Sequence, residues 1–404
     1  MPLGIRKSQM RRTRRFQILW LRFLPTRNFL SFFFVNVERN KTFHSVENVP
    51  DDFGQDLKKP LVPGGILLFS YNISKDPLET YEFIKSIHDF YIQNNLVPPF
   101  VAVDQEGGDV NRLRGLTRPL PSQKKIAGTL SLDEASKLYS AQARQMKNLG
   151  IHLNLAPVVE VENEANSEFL GTRTFGNLEK VLSYGKTEIS SYEENQIATS
   201  LKHFPGNSST DPHSGLPEIL VSKSELENDY ILPFKSLLPF SSAVLMSHAR
   251  IKISDDGSYT EGKIPSCLSD FWVSQVVRNQ LGFSGLVISD DIFMGALADN
   301  GFPPETAVQK AVEAGVDSIM ISEKRFGVDA SLLYKRSLED ENFARKIDSA
   351  VKNVIKFKIK CGILILKEIP PENQNDANSV PAYEVQINQN YPEFSLDDFD
   401  KEFL

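Results

Sequence analysis

Gly285-Leu286-Val287-Ile288-Ser289-Asp290-Asp291 is a short, nearly continuous apolar run that ends in two acids. A strand buried on both faces reads this way, because neither face offers its side chains to water. The pattern recurs at 32–37, 65–69, 100–104, 151–157, 199–204, 243–248 and 318–322, each rich in Val, Ile, Leu or Phe. Most of these runs are separated by a stretch long enough for a crossover helix. The clearest is 131–150: Ser131 and Glu134 form a capping box, apolar residues recur at Leu138, Ala141 and Met146, and Gly150 stops the helix. The stretches 224–237, 270–281 and 305–314 have the same helical character, and 340–358 reads as a terminal helix. Eight buried strands with helical connections predict an α/β chain folded as a (β/α)8 TIM-like barrel in one domain, over residues 29–365. A doubly wound open sheet is the alternative. The placing of polar residues favours the barrel. Asp104, His203, His248, Asp290 and Ser322 end five different runs, and in a barrel those ends converge on one face.

The bulk composition is that of an ordinary globular chain. Of 404 residues, 41% are apolar and 24% charged, and the net charge of −7 argues against nucleic acid as a partner. Two cysteines, Cys267 and Cys361, provide neither a disulfide framework nor a zinc cluster. No apolar run reaches the roughly 20 residues that span a bilayer. The segment 1–28 is a basic extension: residues 1–37 hold eight basic residues and no acid. Its apolar stretch from Phe16 to Leu24 is broken by Arg22, and no small-residue cleavage site follows. A poorly structured extension and a cytoplasmic location are therefore expected, with export by an atypical basic leader as the alternative. At the other end, 366–404 carries nine acids against two lysines. That composition predicts an acidic tail that is extended or disordered, with a helix near Asp397–Phe403 left open.

Chemistry-bearing residues concentrate in Lys202-His203-Phe204-Pro205-Gly206-Asn207-Ser208-Ser209-Thr210-Asp211-Pro212-His213. Asp211 and His213, two apart in a loop, can pair and move a proton near neutral pH. Asp290, directly after a buried strand, is a candidate nucleophile or base; of the adjacent pair Asp290-Asp291, one can face a pocket while the other caps backbone or binds a neighbouring loop. Asp104 ends another strand, followed by Gln105-Glu106-Gly107-Gly108 and, within reach, Arg112. Arg173 sits among apolar and Gly residues, where it can pair structurally or hold hydroxyls of a polar ligand. His248 is expected to be structural. His203, Asp211, His213 and His248 could in principle ligate a metal, but none of the usual ligand spacings is present.

Taken together, these segments resemble glycoside hydrolase family 3, in particular its single-domain bacterial β-N-acetylglucosaminidases. The resemblance covers most of 60–362. It rests on Asp104-Gln105-Glu106-Gly107-Gly108 with Arg112, Ala156-Pro157-Val158-Val159, Gly171-Thr172-Arg173-Thr174-Phe175-Gly176, Lys202-His203-Phe204-Pro205-Gly206, Pro265–Ser269 and Gly282–Met294. It implies that Asp290 is the nucleophile and that His213, oriented by Asp211, is the general acid/base. It further implies that Asp104, Arg112, Arg173, Lys202 and His203 bind a saccharide substrate, with no metal or organic cofactor. The absence of room for a large C-terminal domain points to the N-acetylglucosaminidase branch. A glucosidase or xylosidase of the same family, a non-catalytic saccharide-binding barrel and a metal-dependent hydrolase are the competing readings. The chain departs from the family pattern in three places. Asn207-Ser208 replaces a usual His-Gly, the loop before Asp211 is two residues shorter with Pro212 in place of Ser, and Glu160 stands where Asp is usual.

Overall fold

A computed structural model describes residues 17–18, 29–36, 61–212, 215–253, 262–369 and 382–401. Eight strands lie parallel and side by side in chain order: β1 (Phe33–Asn36), β2 (Gly65–Leu68), β3 (Phe100–Val103), β4 (Leu153–Asn154), β5 (Ala198–Phe204), β6 (Ala243–Met246), β7 (Leu286–Ser289) and β8 (Ile319–Ser322). The first pairs with the last, Phe33 opposite Ile319, and β7 meets the start of β8 through a bridge between Ile288 and Ser318. The sheet therefore closes on itself as a (β/α)8 barrel, and the open-sheet alternative falls. Closure buries both faces of every strand, which is why the runs lack an alternating polar face.

Helices α1 (Pro77–Gln93), α2 (Leu132–Asn148), α3 (Leu178–Glu194), α4 (Pro304–Ala314), α5 (Glu323–Glu339) and α6 (Glu341–Lys360) form much of the outer layer, with irregular helical turns over 223–240 and 271–280. α2 begins with the capping box read from sequence: Ser131 accepts from the Glu134 N–H while Glu134 accepts from that of Ser131. Phe100 shows how tightly barrel and helices pack. Its ring meets Phe34 at 5.2 Å and Phe357 of α6 edge-on at 5.2 Å. A Cβ at Gly65 would lie 2.3 Å from that ring, so β2 can pass only as glycine.

The described part of the tail combines extended strands with a short helix, and it packs on the barrel rather than standing apart. Leu364–Ile369 (β9) pairs antiparallel with Ala382–Ile387 (β10), and β10 pairs in parallel with Gln17–Ile18, the described part of the basic extension. The chain then crosses α1 and α2. Tyr81 donates to the Pro392 carbonyl at 2.8 Å, and Asn148 exchanges two hydrogen bonds with Ser395. Helix α7 (Leu396–Lys401) inserts Phe399, 1% exposed, into the cluster that holds Tyr139 and Met146. The acidic average over 366–404 conceals the apolar residues Tyr391, Phe394 and Phe399, and these find a groove that the rest of the fold supplies. Phe399→Ala is expected to cost about 3 kcal/mol, read as a lower denaturant midpoint. An unchanged midpoint would show that α7 contributes nothing to stability.

Candidate active site

The C-terminal ends of the strands open into a cavity of about 550 Å³. Asp104, Arg112, Arg173, Lys202, His203, Asp211 and Asp290 all line it; His213 lies outside the described residues.

β3 runs on into Asp104, Gln105 and Glu106. Residues two apart on an extended chain share a face. Asp104 and Glu106 accordingly both turn toward Lys202, while Gln105 turns away to Asn111, Gln142 and the backbone of Leu113. Glu106 is 1% exposed and accepts a bidentate pair from Arg173, Nε and Nη2 both at 2.8 Å. Lys202 Nζ, 3% exposed, lies 2.5 Å from Glu106 and also donates to Asp104. Arg112 lies 3.6 Å from the other Asp104 oxygen. Burial pushes the Glu106 carboxyl up, but Lys202 and Arg173 outweigh it and hold the group well below the ordinary carboxylate range. The opposite balance acts on Lys202: burial favours its neutral form, yet Asp104 and Glu106 raise its pKa. Glu106 and Lys202 therefore hold each other in their charged forms at neutral pH.

Lys202 and His203 are neighbours on β5, yet both line the cavity. The pairing of β5 with β6 slips here: Val244 opposes Leu201 but Met246 opposes Phe204, leaving β5 one residue longer. Such a bulge re-aims side chains, and it puts consecutive residues on one surface. The Nδ1 of His203 donates to Glu160 Oε1 at 2.8 Å. The same carboxylate accepts the His203 N–H at 3.2 Å, the Asn207 N–H at 2.6 Å and the Asn207 side-chain amide at 3.1 Å. Two of the residues that depart from the family pattern, Glu160 and Asn207, thus contact each other, and together they anchor the chain leading to Asp211.

Asp290 follows β7, its N–H bonded to the Met246 carbonyl at 3.2 Å, and Oδ1 accepts the Asp291 N–H at 2.9 Å. Burial raises its pKa, but His248, His203, the Asp291 N–H and Lys202 outweigh that effect and bring it below the ordinary value. Asp291 spends Oδ1 on the Phe293 N–H at 2.9 Å. His248 stands behind this turn, with Nε2 3.0 Å from the Asp291 carbonyl and Nδ1 3.1 Å from Cys267 Sγ. A carbonyl can only accept, so Nε2 donates to it, while Nδ1 pairs with the thiol. Burial pushes the Cys267 thiol far up, which keeps it protonated. His248 is committed to this structural pair, away from His203. Among the described residues no group of three or more His, Cys, Asp or Glu is arranged to hold a metal ion.

The sequence reading assigned no role to Glu106, Glu160 or Asn207. The two-residue offset from Asp104 was a usable signal for Glu106; the other two are joined only by loop closure. Glu106→Gln leaves Lys202 and Arg173 buried beside a single acid, Asp104. It should destabilise the fold by about 3–5 kcal/mol and raise KM, measured by denaturant unfolding and steady-state kinetics. A variant as stable as wild type would overturn the view that Glu106 holds both cations.

Comparison with known proteins agrees with this architecture. The family described as glycosyl hydrolase family 3 N terminal domain matches residues 35–356. A beta-hexosaminidase of Actinobacillus pleuropneumoniae serotype 3 (strain JL03) is 32% identical over 282 residues, 67% of this chain and 77% of that protein. Beta-hexosaminidase A of Pseudoalteromonas piscicida is 28% identical over 269 residues; the match spans 63% of this chain but only 45% of that longer protein. Among solved structures, a glycosyl hydrolase of the GH3 family from Mycobacterium smegmatis str. MC2 155 superposes with a TM-score of 0.69 at 25% identity, covering 83% of this chain and 97% of its own. With a family match across nearly the whole barrel, and relatives named as hexosaminidases, the chain belongs to glycosyl hydrolase family 3 and is a glycoside hydrolase.

Proposed function

We propose that the protein is a retaining exo-glycosidase that releases terminal β-N-acetylglucosamine, with peptidoglycan-derived fragments or chito-oligosaccharides as natural substrates. The observation that carries this reading is the single cavity in which Asp290 meets the Asp104–Lys202–Glu106–Arg173 cluster. Carboxylates flanked by cations offer acceptors and donors side by side, the complement of vicinal sugar hydroxyls. With the sugar absent they satisfy one another, so the donor and acceptor positions are set before substrate arrives. The names of the relatives supply the N-acetyl preference.

In this mechanism Asp290 Oδ attacks the anomeric carbon as the glycosidic C–O bond breaks, forming a glycosyl–aspartate ester. His213, oriented by Asp211, gives its proton to the departing oxygen. It then takes a proton from water, which attacks the anomeric carbon and releases Asp290, and the two inversions give net retention. Asp211 stabilises the imidazolium formed in the second step. Lys202, Arg112, Arg173, Asp104 and His203 hold the sugar, and no cofactor enters. No helix among the described residues is long and apolar enough to cross a membrane, and the cytoplasm remains our assignment of location.

Release of 4-nitrophenol from its β-N-acetylglucosaminide should exceed release from its β-glucoside, and Asp290→Asn should abolish it with the fold intact. Appreciable residual turnover would remove Asp290 as nucleophile. His213→Ala should lose about 10²–10⁴-fold with poor leaving groups and less with good ones. Equal losses would count against His213 as the acid. The pH profile follows from the lowered Asp290 pKa. An acid depressed in the folded enzyme stays ionised further into acid, so the acidic limb of kcat/KM assigned to it should fall below about pH 4, and a limb near pH 6 moved by Asp290 substitutions would contradict it.

A further inference from the structure

Phe293 is 48% exposed, and among the described large hydrophobic residues that are exposed it alone lines the active-site cavity. Single exposed hydrophobics are common and need no reason; this one sits three residues from Asp290 on a turn fixed from several sides. Asp291 Oδ1 takes the Phe293 N–H, the Asp291 carbonyl takes the Met294 N–H at 3.1 Å, and His248 holds that same carbonyl from below. Ile292, next to it, is buried and its N–H bonds to the Met320 carbonyl at 3.0 Å. The backbone is thus held in place while the ring projects outward, forgoing the stabilisation that burial would give.

The rest of the cavity shows what such a ring could meet. Part of its lining is ionic, formed by Asp104, Arg112, Arg173 and Lys202. Part is aromatic: Phe69, which stacks on Tyr71 with centroids 5.6 Å apart and planes 12° apart, and Phe169, which lies under Arg173. The cations lining the cavity are Arg112, Arg173 and Lys202, and each already lies against an acid. The described acids lining the cavity are Asp104, Asp211, Asp290 and Asp291, four carboxylates against those three cations. Among the described lining residues a carboxylate-bearing leaving group therefore meets an excess of like charge.

We propose that Phe293 is a specificity-determining residue. It forms an aglycone platform that takes the C–H face of an uncharged pyranose, so the preferred substrate is a neutral β-linked amino-sugar oligosaccharide rather than an acidic, peptide-bearing one. This rests on the glycosidase reading above and narrows it. An aromatic ring contributes apolar area with little entropy to lose, which suits a subsite that must hold and then release a sugar.

The experiment compares wild type, Phe293→Ala and Phe293→Tyr on three substrates: N,N′-diacetylchitobiose, the corresponding disaccharide with a lactyl carboxylate on its reducing sugar, and N-acetylglucosaminyl fluoride, whose leaving group has no ring. Wild type should prefer the neutral disaccharide. Phe293→Ala should lower kcat/KM on it about tenfold more than on the fluoride, mainly through KM, and Phe293→Tyr should restore it. Equal losses on fluoride and disaccharide, or a wild-type preference for the carboxylated sugar, would overturn the proposal. Binding of diacetylchitobiose to Asp290→Asn, with and without Phe293→Ala, separates the two readings. Silence of wild type on the fluoride would remove the glycosidase, whereas a binding constant indifferent to Phe293 would remove the platform.

Discussion

Lys202 Nζ, buried between Asp104 and Glu106, is the contact on which the site depends. Two acids and two cations at the end of a barrel are a poor means of stabilising it. Desolvating them costs several kcal/mol per ion, and well-packed apolar residues would often serve as well or better. Each member is nevertheless required by the others, since removing one leaves an uncompensated charge. The arrangement is intelligible when some of these groups must meet a ligand rich in hydroxyls. In that case the donors and acceptors are set in advance by one another, at the expense of the fold.

Sheet geometry explains how such a cluster arises from separate strands. The alternation of an extended chain turns Asp104 and Glu106 one way and Gln105 the other, where Gln105 is satisfied by Asn111 and Gln142. The bulge in β5 breaks that alternation where it would have turned either Lys202 or His203 away. Asp290 needs no such device, because it leaves the end of β7, and His248 then fixes the turn beyond it from a fully buried position. A regular ladder at one strand and an irregular one at another thus give the same result, side chains aimed into one cavity.

The fold was legible because burial on both faces leaves a plain trace, a nearly unbroken apolar run that stops at a polar residue. Even so, 151–157 contributes only Leu153–Asn154 as strand, the rest being loop whose apolar residues pack without pairing. That residues at several strand ends line one cavity was legible for the same reason. Glu160 and Asn207 were not, since nothing in a loop's composition states which other loop it will touch. The packing of the tail was not legible because average charge predicts behaviour in isolation, whereas Phe399 and Tyr391 respond to a surface built by helices more than 200 residues earlier.

The Glu160–Asn207 contact bears on whether the shortened loop is a defect. A loop with two residues fewer has less slack, and its path depends more on where its first residues are held. Here one carboxylate holds both ends of the 203–207 segment through four hydrogen bonds, two to backbone N–H groups and two to side chains. Glutamate is one methylene longer than aspartate, and that added reach is matched by Asn207, whose side chain ends nearer its own backbone than a histidine's would. Read singly, each departure is a loss of a usual residue. Together they are the two halves of one anchor, placed at the root of the loop that carries Asp211. A buried carboxylate with both oxygens engaged fixes the start of the loop, and a fixed start is what the role proposed for Asp211 requires.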